Sequence, residues 1–148
     1  SVAGLQRGIT AILYGYEPER PKASIAQVLR ETIESDGVAA GIERYRELRE
    51  HRFDEYEFGE RELNRLGYYF LGAGDIPAAV AVFKLNVESY PQAFNTYDSL
   101  GEAYIEAGQK DLAIKNYRKS LELNPGNDNA RAKLAELGVE SGVPEKME

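Results

Sequence analysis

The sequence predicts an all-α protein, an α-α superhelix of stacked helical hairpins. Three observations predict it. The chain is similar to itself at an offset of 34 residues. Its apolar residues recur at helical spacing rather than alternating. Glycine and proline fall at matching places in successive copies, where helices turn and stop.

Composition narrows the function classes. The chain has 148 residues, 25 Asp plus Glu against 18 Lys plus Arg, a net charge of -7, one His and no Cys. Without Cys there is no disulfide framework, no Cys-based zinc site and no thiol nucleophile. With His51 alone, multi-His metal sites are removed. An acidic chain is a poor general binder of nucleic acid, whose affinity comes from Lys and Arg neutralising phosphates. No stretch reaches the roughly 20 apolar residues needed to span a bilayer. The 43% hydrophobic and 29% charged content suits a soluble folded chain. The opening SVAGLQRGITAILYG lacks an initiator Met, which suggests processing or excision from a longer protein. It does not read as a signal peptide, because Arg7 interrupts the apolar run.

Residues 60–93 align with 94–127 without a gap. Leu66 falls on Leu100, Gly67 on Gly101, Phe70 on Tyr104, Gly74 on Gly108, Ala79 on Ala113, Phe83 on Tyr117 and Pro91 on Pro125. Within 94–127, Tyr97, Leu100, Tyr104 and Ala107 form one apolar stripe, and Gly108 ends that helix. A second helix has Ala113, Ile114, Tyr117, Leu121 and Leu123 as its apolar residues, and Pro125 stops it. Gly101 and Ala113 sit where the two helices come close, and Tyr117 fills the space beyond. In 60–93, Pro77 is tolerated because it lies in the first turn of its helix.

The flanks extend the array. Residues 24–59 predict a degenerate hairpin plus a loop. Ser24 and Gln27 make a capping-box signature, and Ile25, Val28, Leu29 and Thr32 face inward. Gly41 takes the small-residue place and Tyr45 the aromatic one. Leu29 stands where later units have glycine, so these helices are expected to pack less closely. The spacing to the next unit is 38, and the four extra residues fall in HRFDEYEFG, with Phe53, Tyr56 and Phe58 folded onto the core. Residues 128–137 predict a capping helix with Ala130, Leu134 and Leu137 inward, and 138–148 a frayed tail. Residues 1–15 predict an amphipathic helix through Val2, Leu5, Ile9, Ile12 and Leu13, followed by a linker at 16–23.

The Leu-Gly-x-x-aromatic run, followed by Gly, Ala, aromatic and Pro at these intervals, resembles the tetratricopeptide repeat. Tyr97 stands where that family favours Trp. The resemblance implies a right-handed superhelix whose first helices line a concave face that binds proteins or peptides. Separately, AILYGYEPERPKASIAQVL is similar to the junction in bacterial serine hydrolases of the β-lactamase-related type, where a final helix leads into a short tetratricopeptide tail. That resemblance implies an alternative role, an accessory tail that packs on or dimerises a catalytic domain.

Catalysis within this chain is not expected. No Ser lies in Ser-x-x-Lys or Gly-x-Ser-x-Gly. Gly72-Ala73-Gly74-Asp75 reads as the interhelical turn, not a phosphate loop. His51, near Asp54 and Glu55, is expected to face solvent after a helix end. No cofactor or metal is implied. The expected partner-binding residues are the outward places of the first helices. They are Arg61, Asn64, Tyr68 and Leu71, then Asn95, Asp98, Glu102, Ile105 and Glu106, then Asn129, Lys133 and Glu136. Tyr68 is the expected aromatic anchor; the alternative is that it packs on the neighbouring hairpin. Some members of the family hold peptide C-terminal carboxylates with a Lys/Asn/Arg clamp. The matching places here are Asn64, Tyr68, Ser99, Ala132 and Glu136, so the clamp is absent. With Asp98, Glu102, Glu106 and Glu136 on that side, the expected partner is a basic or neutral protein or peptide. Self-association stays an open alternative.

Overall fold

Helix punctuation determines the architecture. In the computed structural model, which describes residues 18–145, α1 (Ile25–Asp36) and α2 (Val38–His51) form a first hairpin. A second consists of α3 (Glu60–Gly72) and α4 (Ile76–Ser89), a third of α5 (Phe94–Glu106) and α6 (Lys110–Leu123), and α7 (Asp128–Glu136) closes the array. The first helices α1, α3 and α5 pack side by side in one layer, and α2 and α4 pack in a second. This is the all-α arrangement of hairpins expected from the repeat. The amphipathic pattern at 1–15 and the start of the linker lie outside the described residues, as do 146–148.

The turns of the second and third hairpins are the same motif. Gly74 and Gly108 take φ +79° and +72°, the left-handed region that costs glycine least. Asp75 N–H donates to Phe70 C=O at 3.0 Å, and Gln109 N–H to Tyr104 C=O at 2.9 Å. Both bonds satisfy carbonyls that a helix end would leave unpaired. Gly138 repeats the device after α7, where Val139 N–H donates to Leu134 C=O at 3.1 Å. Asp75 caps α4 by accepting from Ala78 N–H at 3.1 Å, with Pro77 in the first turn.

The close helix approaches are built differently along the chain. A Cβ added at Gly67 would lie 2.3 Å from the Phe83 ring, and one at Gly101 3.0 Å from the Tyr117 ring. In these hairpins the first helix supplies the hollow and the second supplies an aromatic ring that fills it. In the first hairpin Leu29 occupies the glycine place and is buried. The hollow moves to Gly41 on α2, whose added Cβ would meet Ile33 Cγ1 of α1 at 2.3 Å. The displaced Tyr45 ring packs instead edge-on against Phe58, 5.5 Å between centroids.

Five details depart from the sequence reading. Ala107 is exposed because it caps α5 rather than continuing its stripe, and Thr96, Ser99 and Ala103 are buried in its place. Ile33 joins the core of α1. Phe53 is 53% exposed, though it stacks on the buried Phe58. The loop after α2 holds a 3-10 turn (Phe53–Glu55) and a two-residue strand, β2 (Tyr56–Glu57). That strand pairs in parallel with β1 (Ala23–Ser24), Ala23 opposite Tyr56, which ties down the start of the array. Residues 138–145 are not frayed. Arg118 donates to Glu140 C=O at 3.0 Å, and Arg131 to Ser141 Oγ and Val143 C=O at 3.2 Å each. Val139 and Val143 pack on the core.

Candidate functional site: the face of the first helices

The hairpins are joined across their first helices by a row of polar contacts. Ser99 Oγ on α5 donates to Asn64 Oδ1 on α3 at 2.7 Å. Tyr68 Oη donates to Glu102 Oε2 at 2.7 Å, one repeat further along the chain. Asn129 Nδ2 on α7 donates to both oxygens of Asp98, at 3.1 and 3.0 Å. Asn64, Tyr68, Asp98, Glu102 and Asn129 are thus brought together as one ladder. The helical repeat explains why: partners lie 31 to 35 residues apart, close to the 34-residue unit.

Tyr68 is partly exposed and also reaches the neighbouring hairpin. It is 40% exposed, but its ring meets Phe83 edge-on at 5.1 Å and its hydroxyl bridges to the next hairpin. Burial, with the Glu102 hydrogen bond adding to it, pushes its pKa up to about 12. Asp98 is half-buried, and that burial raises its pKa despite the Asn129 contact. Glu102 adds repulsion, and Lys133 offsets part of it. The face therefore concentrates negative charge in a partly desolvated position, where it is screened less than on open surface.

The remaining named residues stand apart from the ladder. Leu71 is not outward: it is half-buried and packs on the core, because it lies one position from the Phe70 stripe. Arg61 is exposed and Asn95 half-buried. Ile105 is exposed at 36%. Glu106 is exposed too, one turn past Glu102. Lys133 pairs with Glu136 at 3.5 Å, a surface pair worth little by itself.

Sequence reasoning missed a second set on the same layer. Between α1 and α3 lies a groove of about 520 Å³ lined by Arg30, Glu34, Arg65 and Tyr69, among others. Arg30 lies over the Tyr69 ring at 4.2 Å and pairs with Glu34 at 3.2 Å, and Tyr69 Oη donates to Glu34 at 2.7 Å. Arg65 pairs with Glu62, and the Ser24 hydroxyl donates to Glu62 as well. Ser24 also caps α1, accepting from Gln27 N–H at 3.4 Å. The signal available was register: Arg30 precedes Tyr68 by the 38-residue spacing, so it occupies the same place on its helix.

His51 is 67% exposed on its side chain and lies 3.9 Å from Glu50. Among the described residues no group of three or more His, Asp or Glu is gathered to hold a metal ion. No described helix is long and apolar enough to cross a membrane.

Residues 94–127, the whole third hairpin, match the tetratricopeptide repeat family. Over 73 residues the chain is 38% identical to human Superkiller complex protein 3, a match that covers 49% of this chain and 5% of that protein. It is 33% identical over 76 residues to the CTR9 homolog of Arabidopsis thaliana, covering 51% of this chain and 7% of that one. It is 30% identical over 73 residues to Tetratricopeptide repeat protein 37 of Xenopus laevis, covering 49% and 5%. The chain thus spans only a small part of the length of these relatives. The matched unit at 94–127 is a tetratricopeptide repeat, and the hairpin at 60–93 repeats its turn, glycine hollow and ring filler.

Proposed function

We propose that this chain is a non-catalytic module that binds a basic or neutral peptide, or the matching segment of a partner domain, on the face of its first helices. One observation carries the reading: α3, α5 and α7 present a continuous polar ladder with acidic excess. It is built from Asn64, Tyr68, Asp98, Glu102 and Asn129 and is half-buried at Asp98. The ladder fixes these side chains before any partner arrives, which lowers the ordering cost of association. Its charge favours cationic segments and repels acidic ones. Arg61, Asn95, Ile105 and Lys133 would form the rim, with Ile105 the apolar contact.

Selection of random peptides displayed on phage tests this. The immobilised chain is expected to enrich sequences of net positive charge. Asp98→Lys and Glu102→Lys should each lose that enrichment. Enrichment of acidic sequences, or tighter binding after either charge reversal, would contradict the proposal.

A further inference from the structure

The ring filler of the third hairpin carries one atom that the filler of the second lacks and that packing does not require, a hydroxyl oxygen. The ring that fills the Gly67 hollow is Phe83; the ring that fills the Gly101 hollow is Tyr117. Both are buried, Phe83 at 0% and Tyr117 at 1% exposure. The Tyr117 ring crosses Gly101 with its Cζ end among the nearest atoms, 3.0 Å from an added Cβ. That end therefore passes α5 between the turns that carry Asp98 and Glu102. Burial raises the pKa of its hydroxyl, and Asp98, Glu102, Tyr68 and Glu136 add to that.

Among the described residues the Tyr117 hydroxyl has no hydrogen-bond partner. It keeps only a trace of surface, the whole residue being 1% exposed, and is not among the fully sealed atoms without partners, Glu60 Oε2 and Asn86 Oδ1. A polar atom at the tip of a buried ring, without a partner and within the field of the Asp98 and Glu102 carboxylates, is an uncommitted hydrogen-bonding group at the floor of the ladder. Beside it, Glu102 gives Oε2 to Tyr68 and keeps Oε1.

We propose that Tyr117 Oη, Asp98 and Glu102 form a subsite for the ammonium group of a lysine side chain on a bound peptide. An ammonium brings three donors and no acceptor. The subsite offers a hydroxyl oxygen and two carboxylates. The positive charge answers the negative charge that the half-buried Asp98 carries without a cation in direct contact. This inference rests on the proposed binding face and adds a residue, Tyr117, that no outward-facing pattern on the first helices contains.

Fluorescence anisotropy with two labelled nonapeptide pools tests it. One pool has lysine fixed at the centre, the other norleucine, with uncharged residues elsewhere and both ends blocked. The wild-type chain is expected to bind the lysine pool about tenfold more tightly than the norleucine pool. Tyr117→Phe and Asp98→Asn should each shrink that ratio about threefold or more. The ratio is read within each variant, so a change in folded fraction cancels. If both pools bind the wild type equally, or if Tyr117→Phe leaves the ratio intact, the subsite is overturned while the binding face stands. If neither pool binds, both are overturned.

Discussion

The first and third hairpins solve one packing problem in opposite ways. In the third, glycine on the leading helix makes a hollow and an aromatic ring from the trailing helix fills it. In the first, glycine sits on the trailing helix at Gly41 and the filler is Ile33 from the leading one. The third hairpin also ties its helices with a polar bond: Ser120 Oγ donates to Phe94 C=O at 2.9 Å. The second does the same with Asn86 Nδ2 and Glu60 C=O at 3.0 Å. The first has Leu48 at that place, fully buried. What the array requires is a matched hollow and filler at each crossing, whichever helix supplies them. The polar tether is an addition of the second and third hairpins, which the first replaces with the buried Leu48.

Glycine-to-alanine changes give the largest effects and rank the three crossings. Gly67→Ala pushes a methyl into the rigid Phe83 ring, and overpacking of this kind costs about 2–3 kcal/mol. Alanine's better helix propensity returns about 1 kcal/mol of that. Gly41→Ala meets Ile33 Cγ1 at the same 2.3 Å, on a β-branched side chain that is stiff at χ1, and should cost a comparable amount. Gly101→Ala, with 3.0 Å available, should come out near neutral. Urea denaturation reads the order; equal losses at all three sites would dissolve the distinction between hairpins.

The tether comes next. Ser120→Ala removes the donor to Phe94 C=O and the acceptor for Asn127 Nδ2, which lies at 2.8 Å. The buried Asn127 amide and the part-buried Phe94 carbonyl lose that partner, a loss of about 2 kcal/mol. A melting curve unchanged from wild type would show that the later hairpins do not depend on it.

Tyr68→Phe tests the link between second and third hairpins. Losing the Glu102 bond should cost about 1 kcal/mol at neutral pH. The alkaline range carries a sharper sign. Tyr68 titrates at about 12 in the folded chain against 10.0 ordinarily, so above pH 10 the unfolded chain releases a proton that the folded chain keeps. Stability is full below 10 and falls as pH rises toward 12. Denaturation followed across that window should show a shallower fall in Tyr68→Phe.

The smallest effect concerns Asp98. Its folded pKa is raised, so its contribution to stability is present at low pH and lost as pH rises through that raised value. Asp98→Asn should therefore raise the melting temperature slightly at pH 7, with the gain shrinking in acid. A decrease at pH 7 would mean that the Asn129 contact outweighs desolvation.

The hairpins were legible because their punctuation is local. Gly74, Gly108 and Pro125 act within a few residues of the helices they end, and the 34-residue offset aligned them. The site was legible only as a set of outward positions. Helical period alone put Leu71 outside, although it lies within reach of the Phe70 stripe and is drawn onto the core. The ladder depends on which residue of the next unit arrives opposite, a property of hairpin stacking. Hence the outward pattern contains Asn64 and Tyr68 but not Ser99, whose partner Asn64 arrives only through stacking. Arg30 over Tyr69 went unseen for the same reason, since the spacing there is 38. The pairing of Ala23 with Tyr56 was hidden because two residues are too few for an alternating pattern.

The claim that the first helices form the binding face is tested most directly by amide chemical-shift mapping with a basic peptide recovered from the phage selection. The account predicts that the shifts cluster at Asn64, Tyr68, Ser99, Glu102 and Asn129. Shifts centred on the opposite layer, at Ile42, Val80 and Lys84 where α2 meets α4, would contradict it.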